Sequence, residues 1–228
     1  MGDARTRLDR IASAASEMQP GLSVVDHLVY AAPDLDEGID AVEKLTGVRA
    51  TAGGSHPGMG TRNALLSLGP SSYLEIIGPD PAQEDYRRPR VFRVDAVERP
   101  RLVTWAAKTN NISQMAAIRL PGGHRLGSAL AGSRRRPGGS TLAWQLTDPY
   151  VEIADGVVPF FIDWDDTPHP SADAAGGAKL VRFEIGHPEA DFVQQIFDSL
   201  GLSIPVVAAP IPTLTATLQT ASGAIELR

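Results

Sequence analysis

The chain has 228 residues, 43% of them hydrophobic and 21% charged, enough for a substantial buried core in a water-soluble globular protein. Its formal net charge of −6 argues against nucleic acid or an anionic membrane as partner. The absence of cysteine excludes disulfides, thiolate zinc sites, iron–sulfur clusters and cysteine nucleophiles, and suits a cytoplasmic location.

Residues 1–22 read as a leader, flexible or weakly helical, without the apolar stretch of a secretory signal. No apolar run reaches the ~18 residues of a membrane span. Residues 24–32, VVDHLVYAA, form a β-branched apolar run and predict a strand. Pro33 ends it. Asp34 with Glu37 makes a capping-box start for a helix on which Leu35, Ile39, Val42 and Leu45 recur at helical spacing, and Gly47 stops it. A short strand near 48–52, a Gly-rich loop over 53–60 and strands near 62–68 and 72–78 complete a βαβββ unit, residues 23–80.

After a polar linker, 81–100, the order recurs less clearly in a second unit, 101–165. RLVTWAAKT is a strand, NNISQMAAI a short Asn-capped helix, and strands follow near 125–131, 140–147 and 157–164. The basic run Arg134-Arg135-Arg136 before Pro137 reads as a solvated turn. A second linker, 166–178, leads to a third unit, 179–228, with strand, Pro188, helix, Gly201 and strands near 204–208, 213–219 and 223–227. Its Pro188-to-Leu200 spacing equals that from Pro33 to Leu45, and it ends AIEL as the first unit ends YLEI. A fixed element order repeated in one chain points to duplication. The fold class expected is α+β, repeated βαβββ modules forming a curved, cup-like mixed sheet.

Glu75 stands out. It lies among strand residues in SYLEIIGP, where a carboxylate is costly to bury unless a cation or hydrogen-bond donors meet it. His27 shares its alternation with Val25 and Val29; it reads either as a functional group facing inward with Glu75 or as a core histidine. His56, in HPGMGTRN, is a candidate acid–base because its ordinary pKa lies near neutrality, or a solvated loop histidine. Asn63 is placed to hydrogen-bond a substrate oxygen or to cap that loop. Trp105 and Trp164 are candidates for lining an apolar pocket, against plain core. Asp163, Asp165 and Asp166 read as a solvated acidic turn before His169. No nucleophile elbow, P-loop or dinucleotide fingerprint is present.

The segments DHLVYAAPDL, HPGMGTRNALLSLG, YLEIIGPD, VTWAAKT and VPFFIDWDDTPHPS resemble the vicinal oxygen chelate superfamily, and within it the glyoxalase-like domain group. The resemblance implies paired modules whose curved sheets make a cup, with metal ligands from the first and last strands of each module. His27 and Glu75 match the first module's ligand positions. It thus implies a divalent ion (Zn, Ni, Mn, Co or Fe) on His27 and Glu75, with His56 or His169 as third ligand or proton carrier. The chemistry implied is of lyase or isomerase type on an oxygenated small molecule. The remaining ligand positions depart from the family: Arg182 and Glu226 in the third unit, and Thr104 or Trp105 with Phe161 in the second. An Arg182 that reached the cup would pair with Glu75 or Glu226 instead of a metal. The alternative function is sequestration of a small compound without metal, with Trp105, Trp164, Phe160 and Arg182 as the binding residues. An odd third module caps the cup or recruits a second copy into a homodimer.

Overall fold

In the computed structural model, residues 18–135, 139 and 141–228 are described; the expected leader, up to residue 17, and Arg136 lie outside them. The first unit runs β1 (Val25–Ala31), α1 (Leu35–Thr46), β2 (Thr51–His56), β3 (Thr61–Gly69) and β4 (Ser72–Pro79). The second runs β5 (Arg101–Lys108), α2 (Ile112–Ala117), β6 (Ala129–Arg135), β7 (Thr141–Thr147) and β8 (Phe160–Asp163). These eight strands form one mixed sheet in the order β2-β3-β4-β1-β5-β8-β7-β6, curved until β6 comes back beside β2. The third unit, β9 (Ala178–His187), α3 (Ala190–Ser199), β10 (Val206–Ala208), β11 (Thr213–Thr220) and β12 (Gly223–Leu227), builds a separate four-stranded sheet. The result is an α+β fold whose large, nearly closed sheet makes a cup.

Local chemistry sets the helix ends. The Asp34 carboxylate accepts from the amides of Asp36 and Glu37 at the start of α1, and Gly47 closes it in the left-handed conformation at φ 74°. Asn111 caps α2 by accepting from the amide of Gln114. The strand expected over 48–52 instead runs over 51–56, so Gly53 and Gly54 lie in β2 rather than in a loop. The reason is space: a Cβ at Gly53 would stand 2.1 Å from Asn63 Oδ1 and 2.7 Å from Arg134 Nη1. Glycine lets the side chains of β3 and β6 meet over β2.

The convex face of the large sheet carries the main core. Leu28, Leu66, Leu74 and Ile76 pack there with Leu35, Ile39 and Val42 of α1, and with Phe183, Ile185, Ile196 and Phe197 of the third unit. The third unit therefore backs the cup. The concave face holds a second cluster of Val29, Ala31, Ile77, Ala106, Phe160 and Ile162, closed by Val91 and Val94 from the segment joining the two units. Among the described residues no helix is long and apolar enough to cross a membrane.

Candidate functional site

The polar part of the cup begins with an irregularity in β1. Val25 pairs with Ala107 of β5 and His27 with Ala106, so Asp26 is an extra residue, a β-bulge. The bulge breaks the simple alternation: Val25 packs into the convex core, whereas His27 and Val29 face the concave side. The His27 ring stacks on Tyr73 at 4.6 Å and 17°, with the edge of Phe160 5.5 Å away. These rings leave it little freedom to turn.

Glu75, on β4, is 7% exposed. Its Oε2 lies 3.8 Å from His27 Nε2 and its Oε1 3.7 Å from His56 Nε2, so two imidazoles bracket one carboxylate. Asn63 Nδ2 donates to Oε1 at 2.6 Å, and Arg134 Nη1 donates to Asn63 Oδ1 at 3.4 Å. Because a guanidinium only donates and a carboxylate only accepts, the orientation of the Asn63 amide is fixed by its two neighbours. The cost of burying Glu75 is thus offset in part by the hydrogen bond from Asn63. His56 is buried at the end of β2, with Nδ1 2.9 Å from Thr61 Oγ1. Burial holds its pKa below the ordinary value; Glu75 pulls upward and Arg134 adds to the lowering. Burial, with the carboxylates of Asp26 and Glu75, pushes the Tyr73 phenol well above its ordinary range.

Behind His27, the fully buried Asp26 carboxylate meets His27 Nδ1 at 2.8 Å, Trp164 Nε1 at 3.2 and 3.1 Å, and His169 Nε2 at 3.2 Å. Burial alone would raise its pKa, but the hydrogen bonds of His169 and His27 outweigh that and hold it well below the usual carboxylate range. Asp26 is therefore the acceptor that these three side chains share.

The structure brings together His27, Glu75, His56 and Asn63. His169 and Trp164 join through Asp26, with His169 also edge-on to Tyr73 at 5.5 Å. Two expected residues stand elsewhere. Trp105 does not line the cup: it is fully buried on the convex side, donating to the Val157 carbonyl at 2.8 Å and packing on Phe183. It follows Thr104 on β5, and the next residue, Ala106, is the one that faces inward. Arg182 is exposed on β9 and pairs with Glu184 at 2.7 Å, because its neighbour Phe183 occupies the face turned to the core. Arg134, expected in a solvated turn, is instead only 6% exposed and part of the site. A basic run before Pro-Gly gives no sign that one of its members turns inward. Asp26 was also missed, since nothing in DHLVYAA marks the bulge.

His27 and Glu75 do not by themselves fit a resident ion. On the strands beyond His27 stand Ala106 and Phe160, which offer no donor. Glu75 turns a different oxygen to each histidine, and among the described residues no group of three or more His, Asp or Glu side chains is arranged to hold a metal.

Paired βαβββ halves around a polar cup define a vicinal oxygen chelate protein. Residues 25–201 match the family described as the glyoxalase-like domain, and the chain belongs to that family. The fold is similar to that of a hypothetical protein from Staphylococcus aureus, at 12% identity and TM-score 0.60, over 90% of this chain and 98% of that one. Methylmalonyl-CoA epimerase from Mycobacterium tuberculosis matches at 20% identity and TM-score 0.39, over 65% of this chain and 93% of its own. A Streptomyces coelicolor methylmalonyl-CoA epimerase in complex with 2-nitronate-propionyl-CoA matches at 22% and 0.41, over 64% and 97%. No curated protein matches the sequence.

Proposed function

We propose that the cup is the active site of an enzyme that moves a proton on a small oxygenated molecule, chemistry of the isomerase or lyase type. The observation that carries this reading is the buried carboxylate of Glu75 lying between His27 Nε2 at 3.8 Å and His56 Nε2 at 3.7 Å. A carboxylate between two imidazoles can take a proton at one oxygen while a ring beside it gives or accepts another.

In this reading Glu75 accepts the proton from a carbon next to a carbonyl. The C–H electron pair moves into that carbonyl, leaving an enolate whose oxygen is stabilised by a hydrogen bond from the ring N–H of His56. Return of the proton to the other face or the neighbouring carbon regenerates Glu75. Asn63 holds Oε1 in place through its 2.6 Å hydrogen bond. Trp164, Phe92 and Met59, partly exposed beside the inner cluster, supply an apolar wall for the rest of the substrate. His27 and Glu75 act here as proton carriers rather than as ligands to an ion, in keeping with their donor arrangement.

The test is hydrogen exchange at carbon. The protein is incubated in heavy water with small 2-oxo and 2-hydroxy carbonyl compounds, and loss of C–H signal is followed by proton NMR. The wild type is expected to exchange at least one compound, and Glu75→Gln to exchange it at least about 100-fold more slowly. A wild type that binds such compounds and exchanges none would overturn the enzymatic reading in favour of sequestration.

A further inference from the structure

Asp26 is the best-connected polar group of the cup. The bulge on β1 places it beside His27 on the inner side, fully buried, with nitrogens of His27, Trp164 and His169 around its two oxygens. The Trp164 N–H, always a donor, meets both oxygens, so this carboxylate is the acceptor at the centre of the group. Each of these three nitrogens must therefore bear the hydrogen of its bond. For Trp164 that is always so. For His27 it decides which tautomer of the neutral ring is present.

Resting on the proton-transfer reading above, we propose that Asp26 is a positioning residue. It fixes His27 as the Nδ1–H tautomer and so presents the unprotonated Nε2 to Glu75. Stacking on Tyr73 and the edge of Phe160 set the plane of the ring, but rings cannot choose which nitrogen carries the proton. Of the partners at the two His27 nitrogens, Asp26 Oδ1 lies within hydrogen-bond distance of Nδ1, at 2.8 Å, while Glu75 Oε2 stands 3.8 Å from Nε2, beyond it. The same carboxylate anchors the segment from Trp164 to Ser171, whose far end is pinned by the Ser171 hydroxyl donating to the Pro70 carbonyl at 2.8 Å. The group that orients His27 is thus also the group that holds this strap beside the site.

The isosteric amide separates this role from a packing role. In Asp26→Asn only one of the two terminal atoms can accept. The Oδ2 side faces Trp164 at 3.1 Å and His169 at 3.2 Å, both donors, so the amide oxygen belongs there. The amide nitrogen then faces His27 Nδ1, which must accept, and the proton of the neutral ring moves to Nε2.

The experiment is long-range proton–nitrogen correlation NMR on the full chain labelled with nitrogen-15, at a pH where the His27 ring is neutral. His27 is assigned by the signals lost in His27→Gln. Wild type is expected to show Nδ1 protonated and Nε2 unprotonated, and Asp26→Asn the reverse. Trp164→Phe, which removes only the indole donor, is expected to keep the wild-type pattern while loosening the strap. A wild type with the proton on Nε2 overturns the proposal, and does so even where the Asn variant fails to fold. A folded Asn variant with an unchanged tautomer overturns it as well. The heavy-water exchange assay tests the other reading independently: the stated tautomer without exchange would remove the enzyme and leave the hold of Asp26 on His27 standing.

Discussion

Asp26 and His27 are consecutive residues of one strand, yet their side chains meet 2.8 Å apart inside the cup. In a regular strand neighbours point to opposite faces; the bulge after Val25 is what allows both to serve one site. The pairing has a consequence for acid stability. The folded-state pKa of Asp26 is depressed, so its contribution is fully present above the unfolded value near 3.8 and is lost as pH falls toward the folded value. Asp26→Asn is expected to lower stability at neutral pH and to flatten the loss of stability below about pH 4. Urea midpoints measured at several acid pH values check both parts.

His56 governs a milder range. Burial lowers its folded pKa below the ordinary 6.5, so on acidification the unfolded chain takes up the proton first. Stability contributed by the neutral ring is complete above about pH 6.5 and falls below it, at up to about 1.4 kcal/mol per pH unit for one proton. In His56→Gln the decline between about pH 6.5 and 5 is expected to shrink. Chemical denaturation at half-unit intervals would reveal an unchanged slope if the ring were titrating freely in the native state.

Two glycines distinguish the site from the scaffold. At Gly53 an alanine Cβ would collide with Asn63 Oδ1 and Arg134 Nη1; at Gly38, on α1, it would lie 2.8 Å from Ala32 Cβ and Ile76 Cγ2. Both Gly53→Ala and Gly38→Ala are expected to cost about 1–3 kcal/mol through overpacking. Only Gly53→Ala should displace Asn63 from Glu75 and change the imidazole signals of His56. Thermal melts together with histidine NMR decide this. Equal imidazole shifts in both variants would contradict the assignment of Gly53 to the site.

The unit that a sequence advertises best is the one whose local signals and tertiary needs agree. The Asp34 cap, the apolar stripe of α1 and Gly47 are all local, and so the helix was legible residue by residue. So was the oddity of Glu75, a charge in an apolar strand. Its neighbours were not, because Asn63 reaches it across a strand pair and His56 sits at the end of a strand whose glycines read as a loop. The aromatic character of Trp105 and the matched position of Arg182 in a repeat carry no information about which face of a strand a given unit turns inward. Arg134 and Asp26 were invisible for a related reason: one turns in at the seam between β6 and β2, the other depends on a bulge fixed by pairing with β5.

The third unit has a mechanical role that mutation can isolate. Phe183 is fully buried and meets Trp105 edge-on at 5.3 Å, joining the four-stranded sheet to the back of β5. Phe183→Ala is expected to cost about 3–5 kcal/mol, the range for a large aromatic deleted from a core. Because Trp105 faces away from the cup, the histidine signals of the site should keep their positions in the folded fraction. A denaturant series read by both tryptophan fluorescence and histidine NMR tests the separation. Loss of less than about 1 kcal/mol would mean that the third sheet is not a structural backing of the cup.

The last prediction concerns metal. The resemblance to metal-using relatives assigns His27 and Glu75 to a divalent ion, whereas the strands beyond His27 carry Ala106 and Phe160 and Glu75 divides its oxygens between two rings. A carboxylate held by Asn63 at one oxygen and flanked by an imidazole at each is arranged for exchanging protons. Protein purified without a chelator or a histidine tag is therefore expected to contain well under one equivalent of Zn, Ni, Mn, Co or Fe by elemental analysis, and carbon–hydrogen exchange should survive dialysis against a chelator. Near-stoichiometric metal that vanishes in both His27→Ala and Glu75→Ala would reverse this assignment, making Glu75 an ion ligand and leaving His56 as the group that carries the proton.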